Sequence, residues 1–375
     1  MKILRTTLSI VVLLIVVLAL AVAALFMFAD PNQLKPVIEK TVKTQTGYNL
    51  SMNGSLSWSF YPELGVKMAD LTLTAPNASQ PFVKASNIHL ALNLRSLLQG
   101  QHQLTGDLYI GDTTLMKLRL TGVHAVMQFD QGVLTINPLT ADLYRGELSG
   151  TVSGSQFSTI PAWKWDMTVT NANIQDLLAD VNGKEAKLTL SADGSLRFRG
   201  ETHGQTGEAL MQNVTGSGVY SLKQGKLSAI DINYLLQTAD ALLNKQTIAP
   251  PQNLKETTFD RLTGSVNLQK GVLTSNGIEL NAATFTARGD LNLGLQNRDI
   301  DLRLNIQSTQ ALKTQFTIPV LVTGTVVNPN VQLDMASINQ MVAKQQLERV
   351  KTKVQEKVKD LSGKADAFMK RLMGQ

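Results

Sequence analysis

The feature that most constrains this chain is an alternation of apolar and polar residues that recurs through most of its length. Because successive side chains of a β-strand point to opposite faces of a sheet, this alternation predicts strands with one apolar and one polar face. The apolar positions that show it best fall in four runs: Ile88, Leu90, Leu92 and Leu94; Leu188 and Leu190; Leu291, Leu293 and Leu295; Ile300, Leu302, Leu304 and Ile306. Turn-forming pairs such as Asn53-Gly54, Asp193-Gly194 and Asn276-Gly277 punctuate the same region. The sequence therefore predicts a mainly β fold.

Short internal repeats indicate how these strands are arranged. The segment QGVLT at 131–135 returns as KGVLT at 270–274, with QGKLS at 224–228 between them. Degenerate repeats of this kind favour an elongated, curved antiparallel sheet that is extended hairpin by hairpin. With roughly 20 strands spaced about 4.8 Å apart, such a sheet would be about 100 Å long.

The apolar face of such a sheet must be covered, and helices are too scarce to cover it. The helix candidates within the body are short, at 173–181 and 229–244, and aromatic residues make up only 5% of the chain. Two hypotheses stay open at this point. One is a β-sandwich whose inner faces bury each other, and the other is an open groove whose Leu, Ile and Val side chains face lipid. On the second hypothesis, the alternating apolar residues given above are the lipid-groove candidates.

Residues 6–29 form an uncharged, strongly apolar run of 24 residues. A membrane-spanning helix needs about 20 residues, so we expect an uncleaved transmembrane anchor here. A cleaved signal peptide is the competing hypothesis, because Ala21-Val22-Ala23 resembles a cleavage site. Lys2 and Arg5 precede the run and favour a cytoplasmic N-terminus, which would place the body in the periplasm.

The spacing of apolar residues divides the rest of the chain into helical and β segments. Asp30-Pro31 is typical of a helix start and Gly47 of a helix end, so a short helix is expected directly after the anchor. The predicted organisation has four parts: a cytoplasmic stub and anchor at 1–29, a juxtamembrane helix at 30–47, a β-groove domain at 48–334 and a basic amphipathic helix at 335–375.

The C-terminal helix is predicted from an apolar stripe at spacings of three and four residues. Ser337 and Gln340 resemble a capping box at its start. The stripe is formed by Leu347, Val350, Val354, Val358, Leu361, Ala365, Phe368 and Leu372. One hypothesis is an interfacial helix on an anionic membrane, either the inner membrane or a second one. The other is a coiled coil or a helix that docks on an envelope protein, since the same spacing also fits heptads.

The net charge of +6 is concentrated at the two ends of the chain. Residues 1–29 carry +2 and residues 338–375 carry +5, which leaves about −1 for everything between them. A nucleic-acid-binding domain would instead carry a basic patch on its folded body. We therefore expect no nucleic-acid partner.

No pattern in the sequence indicates catalysis. Cysteine is absent, so disulfides, thiolate metal sites and a cysteine nucleophile are excluded, and the four histidines lack metal-ligand spacing. Asp299 and Asp301 would share a strand face, as acid pairs in some glycosidases do, and Trp163 with Trp165 would also share one. Solvated carboxylates and core or groove-rim tryptophans are the commoner interpretations. We expect a protein that is not an enzyme and has no cofactor or metal.

Several segments together carry a resemblance to a known family. Residues 47–73 follow a helix that ends in Thr46-Gly47, and they contain a strand with the pattern G-x-L-x-W at 54–58 and a P-x-L-G turn at 62–65. Further similar segments follow in the expected order at 139–154, 218–236, 259–293 and 318–334. In these motifs the chain resembles the AsmA family. The basic C-terminal helix is not part of that signature.

The resemblance implies a bacterial inner-membrane protein with a taco-like periplasmic β-groove. It also implies a role in moving phospholipid towards the outer membrane and in outer-membrane biogenesis and integrity. Two other functional classes stay open from the sequence: a scaffold for envelope protein assembly with a dry interior, and a right-handed β-helix that acts on polysaccharide.

Overall fold

The structure is a computed structural model that describes residues 30–59, 64–76, 78–93, 103–157, 159–182, 189–204, 207–228, 230–243, 246–247, 249, 256–309 and 317–372. These residues form one antiparallel sheet of 16 strands, and the order of the strands in the sheet is their order in the sequence. The strands are β1 (Asn49–Ser59), β2 (Gly65–Thr74), β3 (Val83–Asn93), β4 (Gln103–Leu115), β5 (Leu118–Asp130), β6 (Val133–Leu143), β7 (Gly146–Ser155), β8 (Ala162–Asn173), β9 (Leu190–His203), β10 (Thr215–Leu227), β11 (Thr257–Gln269), β12 (Val272–Asn281), β13 (Phe285–Gly294), β14 (Ile300–Ser308), β15 (Thr317–Gly324) and β16 (Pro329–Leu333).

The described residues also form five α-helices: α1 (Lys35–Thr46), α2 (Ile174–Asn182), α3 (Gly207–Gln212), α4 (Ile232–Leu243) and α5 (Met335–Leu372). A 3-10 turn at Pro31–Leu34 precedes α1, and the Asp30 side chain caps it by accepting a hydrogen bond from the backbone N–H of Asn32. Gly47 ends α1 with a φ of 75°, a left-handed conformation that glycine adopts without strain. The helix boundaries predicted at Asp30 and Gly47 are therefore confirmed.

The topology decides between the fold hypotheses. Every strand pairing is antiparallel, and within the described residues there is one sheet and no second one. The β-sandwich is therefore wrong, and so is the right-handed β-helix, because that fold is built from parallel strands. The sheet is open, since β1 and β16 do not pair with each other. Its 16 strands are fewer than the roughly 20 expected, and 15 spacings of about 4.8 Å give about 72 Å.

Irregular positions within the strands bend the sheet. The pairing register shifts between Ile136 and Leu139 in β6 and between Ser275 and Ile278 in β12. A β-bulge places extra residues on one strand, so that strand bends and its right-handed twist increases. Similar shifts recur in β1, β8 and β10. The sheet is consequently curved. Its two faces differ in how much of their surface is shielded from solvent.

The first edge of the sheet is sealed by side chains of the N-terminal segment. Asn32 donates a hydrogen bond from Nδ2 to the Leu56 carbonyl oxygen at 3.0 Å and accepts one on Oδ1 from the Leu56 N–H at 2.9 Å. Glu39 of α1 accepts a hydrogen bond from the Met52 N–H at 2.9 Å, and Lys35 donates one to the Gly54 carbonyl oxygen. These bonds occupy backbone groups of β1 that another strand would otherwise bind.

The paired hydrogen bonds of Asn32 give a first testable prediction. We expect Asn32→Ala to lower the free energy of unfolding by about 1–3 kcal/mol, because it leaves a partly buried donor and acceptor of β1 without partners. The measurement is denaturant unfolding of the purified protein. Asn305→Ala, on an exposed position of β14, is the control, with an expected change below about 0.5 kcal/mol. Equal effects of the two substitutions would show that the edge bonds add no stability.

The predicted membrane anchor cannot be placed in this sheet. It falls at 6–29, outside the described residues. Among the residues that are described, no helix combines the length and the apolar composition needed to cross a membrane.

Candidate functional site

The candidate site is the face of the sheet that carries its apolar residues, which we call the inner face. Residues directly opposite each other in an antiparallel pair lie on the same face. Leu291 pairs with Leu302, and Leu302 pairs in turn with Val322. In the first half of the sheet, Leu90 pairs with Leu108. The predicted alternation is thus confirmed, because successive strands align their apolar positions on one face.

Charged residues alternate onto the opposite, outer face, where they pair across strands. Asp166 of β8 binds Arg197 and Arg199 of β9, at 3.1 and 2.7 Å. Hydrogen bonds from Arg197 and then from Arg199 hold the pKa of Asp166 below its usual value. Lys164 and Glu201 add a further pair at 3.6 Å. The outer face is therefore solvated and ionic.

Two regions of the inner face are covered by protein. The first covered cluster spans β1 to β8 and includes Leu73 and Leu90, each 1% exposed. The second spans β9 to β15, and Ile232 and Leu236 of α4 belong to it together with Phe285 and Ile306. Thr284 donates a hydrogen bond to the Asn233 side chain at 2.9 Å and fastens α4 in place. These clusters are the structural core.

Beside these clusters, part of the inner face stays open. Eight apolar residues of β7 to β13 are only half-buried and lie outside both covered clusters; together we call them the open strip: Leu148, Val169, Leu196, Phe198, Val266, Leu268, Leu273 and Leu293. The register makes them neighbours, since Leu148 pairs with Val169, Val169 with Leu196, and Leu273 with Leu293. Within the described residues no helix or second sheet covers them. The strip is a continuous apolar trough.

Aromatic rings beside the strip lie flat over glycines of the neighbouring strand. A Cβ atom built on Gly200 would be 2.5 Å from Cζ2 of Trp165, its partner across β8 and β9. On Gly264 it would be 2.5 Å from Oη of Tyr220. Any larger residue at these glycines would push the ring up into the trough. Because these residues are glycines, the rings can lie against the sheet, and the outer face of each ring lines the trough.

One polar pair lies on this floor. The Tyr220 hydroxyl and the Ser275 hydroxyl are 3.0 Å apart, and Ser275 is 1% exposed. Burial raises the pKa of Tyr220, and the hydrogen bond with Ser275 offsets part of that rise. Because the two hydroxyls satisfy each other, the pair leaves the apolar character of the floor intact.

The lipid-groove candidates named from the sequence divide into four groups in the structure. Four of them are half-buried: Leu293 belongs to the open strip, and Leu190, Leu291 and Leu302 pack against the second covered cluster. Six are covered core residues of the same face: Ile88, Leu90, Leu92, Ile300, Leu304 and Ile306. Leu295 lies in the turn after β13 and is 41% exposed, because the strand ends at Gly294, one residue earlier than the alternation suggests. Leu94 and Leu188 lie outside the described residues.

The structure also places the tryptophan pair and one member of the aspartate pair considered from the sequence. Trp163 and Trp165 share the inner face, where Trp163 is 1% exposed and Trp165 is half-buried at the rim of the first covered cluster. Asp301 lies on the outer face beside Arg303, at 3.4 Å, so it faces away from the trough. Within the described ranges, no three His, Cys, Asp or Glu side chains come together as a metal ion would require.

Sequence reasoning named one of the eight residues of the open strip, Leu293, and missed the other seven. The glycine-and-aromatic floor was not anticipated, and neither were Phe198, Val266 and Leu273. A signal did exist, because glycine and aromatic residues alternate along β8 to β11. This signal can be interpreted only once the pairing register shows which glycine lies opposite which aromatic ring.

Comparisons with known proteins indicate the family of the chain. The family model described as "AsmA family" matches residues 1–106 and 102–278, nearly three quarters of the chain. This chain belongs to the AsmA family. The AsmA resemblance expected from the motifs is therefore confirmed, while β13 to β16 and α5 lie beyond the matched residues.

One curated AsmA relative can be named. "Protein AsmA" of Escherichia coli (strain K12) is 37% identical over 101 residues, which are 27% of this chain and 16% of that protein. The matched region is thus a small part of the longer relative. No solved structure matches the chain.

Proposed function

We propose that the chain is an inner-membrane-anchored periplasmic protein whose trough binds phospholipid acyl chains. On this proposal it supports phospholipid transport and the biogenesis or integrity of the outer membrane. The single observation that carries the proposal is the open strip, eight half-buried apolar residues in register with no protein over them among the described residues. Membership of the AsmA family supports an envelope-related role.

The dimensions of the strip suit an acyl chain. From β7 to β13 there are six strand spacings, and at about 4.8 Å each they give about 29 Å. The hydrocarbon core of a bilayer is about 30 Å thick, so one acyl chain is about half that length. An acyl chain can therefore lie across the strands while its headgroup stays in water.

The energy of binding comes from the hydrophobic effect. Each buried CH₂ group contributes about 0.8 kcal/mol, and the strip adds no charged group that would oppose burial. Because the strip residues are chemically alike from strand to strand, neighbouring positions bind a chain almost equally well. An acyl chain can therefore slide along the trough without passing a deep energy minimum.

An assembly scaffold with a dry interior is less well supported. Such a protein needs an inner face that its own chain seals, as α4 seals the second covered cluster. The open strip lacks such a cover within the described residues. A folding protein client would also need polar partners for its backbone, and Tyr220 and Ser275 already satisfy each other on this floor.

The experiment places a photo-crosslinker on each face of the full-length protein in cells. We expect p-benzoylphenylalanine in place of Phe198, on the strip, to form adducts with phospholipid. The same group in place of Val219 on the outer face, which is 61% exposed, should form few. Native mass spectrometry of the extracted protein should show co-purified phospholipid. Lipid-free protein together with equal labelling at both positions would contradict the proposal.

A further inference from the structure

Helix α5 leaves the sheet after its first turns and exposes its apolar stripe. Asp334 caps the helix, since its carboxylate accepts hydrogen bonds from the Ser337 N–H at 3.1 Å and from the Ser337 hydroxyl at 2.5 Å. The capping box expected at Ser337 and Gln340 is therefore wrong, and the cap lies three residues earlier. Ile338 is still buried at 4% exposure, yet every described side chain from 350 to 359 is exposed. Beyond its first turns, α5 projects from the body.

The stripe itself is uncovered. Its five described members are more than half exposed: Leu347 at 56%, Val350 at 58%, Val354 at 54%, Val358 at 59% and Leu361 at 64%. At about 100° per residue they all fall within an arc of about 80° on the helix surface. These residues form a narrow apolar line along the helix, and most of the surface of each one is exposed.

Charges are arranged around this line in a regular way. By the same geometry, Lys351 and Lys357 each lie about 20° beyond one border of the stripe. Lys353 and Lys359 lie farther round on the two flanks, and Glu356 lies opposite the stripe. Lysines beside an apolar face can bury their aliphatic stems and extend their ammonium groups towards anionic headgroups. This arrangement complements the surface of an anionic bilayer.

The spacing argues against a coiled coil with a second copy of the chain. Heptads alternate steps of three and four residues, whereas the stripe steps by four twice in succession, from Val350 to Val354 and from Val354 to Val358. A heptad that starts at Leu347 would place Lys357 in the core of the coiled coil. The stripe follows the 3.6-residue period of a straight helix, which suits a flat surface better than a supercoil.

We infer that α5 is an interfacial helix that lies on the surface of a bilayer containing anionic phospholipid. The apolar stripe enters the boundary between headgroups and acyl chains, and the flanking lysines contact the headgroups. Each lysine near the surface strengthens binding about fivefold at low salt. This inference stands apart from the trough, because it concerns a helix at the last strand of the sheet.

The absence of native cysteine makes the inference directly testable. Full-length protein is reconstituted in vesicles of phosphatidylcholine with or without phosphatidylglycerol. One variant carries an environment-sensitive dye at Val358→Cys on the stripe, and its matched control carries the dye at Glu356→Cys on the opposite side of the helix. We expect the dye at 358 to increase in emission about threefold or more with phosphatidylglycerol and to be quenched by spin-labelled lipid. The dye at 356 should remain aqueous, and added salt should weaken the response at 358.

Two other results would overturn the inference. If both dyes stay in water whatever the vesicle composition, α5 does not lie on the bilayer. If the dye at 358 is shielded equally in detergent without lipid, and more so as protein concentration rises, the stripe binds a second copy instead. Neither result depends on whether the trough holds lipid, so failure here is distinguishable from failure of the proposed function.

Discussion

Val266→Asp is expected to weaken phospholipid binding by at least about 100-fold, a loss of about 2.7 kcal/mol. Val266 lies in the open strip of β11, where it pairs with Gly218 of β10. A carboxylate there has no partner on the described part of the inner face, so an acyl chain cannot cover it without removing its water. The charge therefore acts on binding far more strongly than any loss of apolar contact from this small side chain.

The next residue along β11 supplies the control. Asn267→Asp adds the same charge on the exposed outer face, where Asn267 pairs with Ser217 and Thr274. We expect it to leave lipid binding within about twofold of the wild type, since surface substitutions of this kind have small effects. Both variants are compared by photo-crosslinking and by the phospholipid that co-purifies with the folded protein.

Acidity should partly restore binding in Val266→Asp. Contact with an acyl chain favours the neutral form of the introduced carboxyl, so the pKa of that carboxyl is higher in the lipid-bound state than in the empty trough. Binding is then weakest above that raised pKa and recovers as the pH falls through it. Equal binding by Val266→Asp and Asn267→Asp at neutral pH, with both proteins folded, would show that the strip does not hold lipid.

Phe285→Ala is expected to lower the free energy of unfolding by about 3–5 kcal/mol. Phe285 is 1% exposed in the second covered cluster, beside Ile306 and under α4. Removing its ring leaves a cavity in this cluster, and because a core relaxes only partly around a cavity, both the burial of the ring and the contacts around it are lost. Denaturant unfolding monitored by circular dichroism gives the change.

Phe198→Ala is the matched control for this stability test. Phe198 is the same residue type on the same face, but it belongs to the open strip and is only half-buried. One side of its ring already faces solvent in the empty trough, so we expect a loss below about 1.5 kcal/mol in the lipid-free protein. If the two alanine substitutions cost the same, then Phe198 is a core residue and the strip is sealed.

The sequence predicted which side chains share the apolar face of the sheet. It did not predict which of them other segments of the chain cover. Leu92 and Leu293 look alike in sequence, yet Leu92 is 3% exposed in the core and Leu293 is half-buried in the open strip. A carboxylate at position 92 would unfold the protein without testing lipid binding. The difference depends on which segments pack over each strand, and that is decided by contacts distant in the sequence, such as those of α4.

Predictions that depend on local chemistry succeeded at one helix and failed at another. Asp30 and Gly47 bound the N-terminal helical segment as expected, because capping is determined by neighbouring residues. At α5 two acceptable caps compete, and Asp334 captures the Ser337 N–H and hydroxyl that a capping box would have used differently. The choice between a sandwich and a single sheet was beyond the sequence, since both present the same alternation.

The consecutive order of the 16 strands has a consequence for how such proteins can change in length. Each strand pairs only with its immediate neighbours in sequence, so excision or duplication of one hairpin disturbs only the two junctions beside it. Strand direction is preserved only when strands are gained or lost in twos. The span between the two ends of the molecule can therefore be adjusted in increments of about 9.6 Å, two strand spacings at a time.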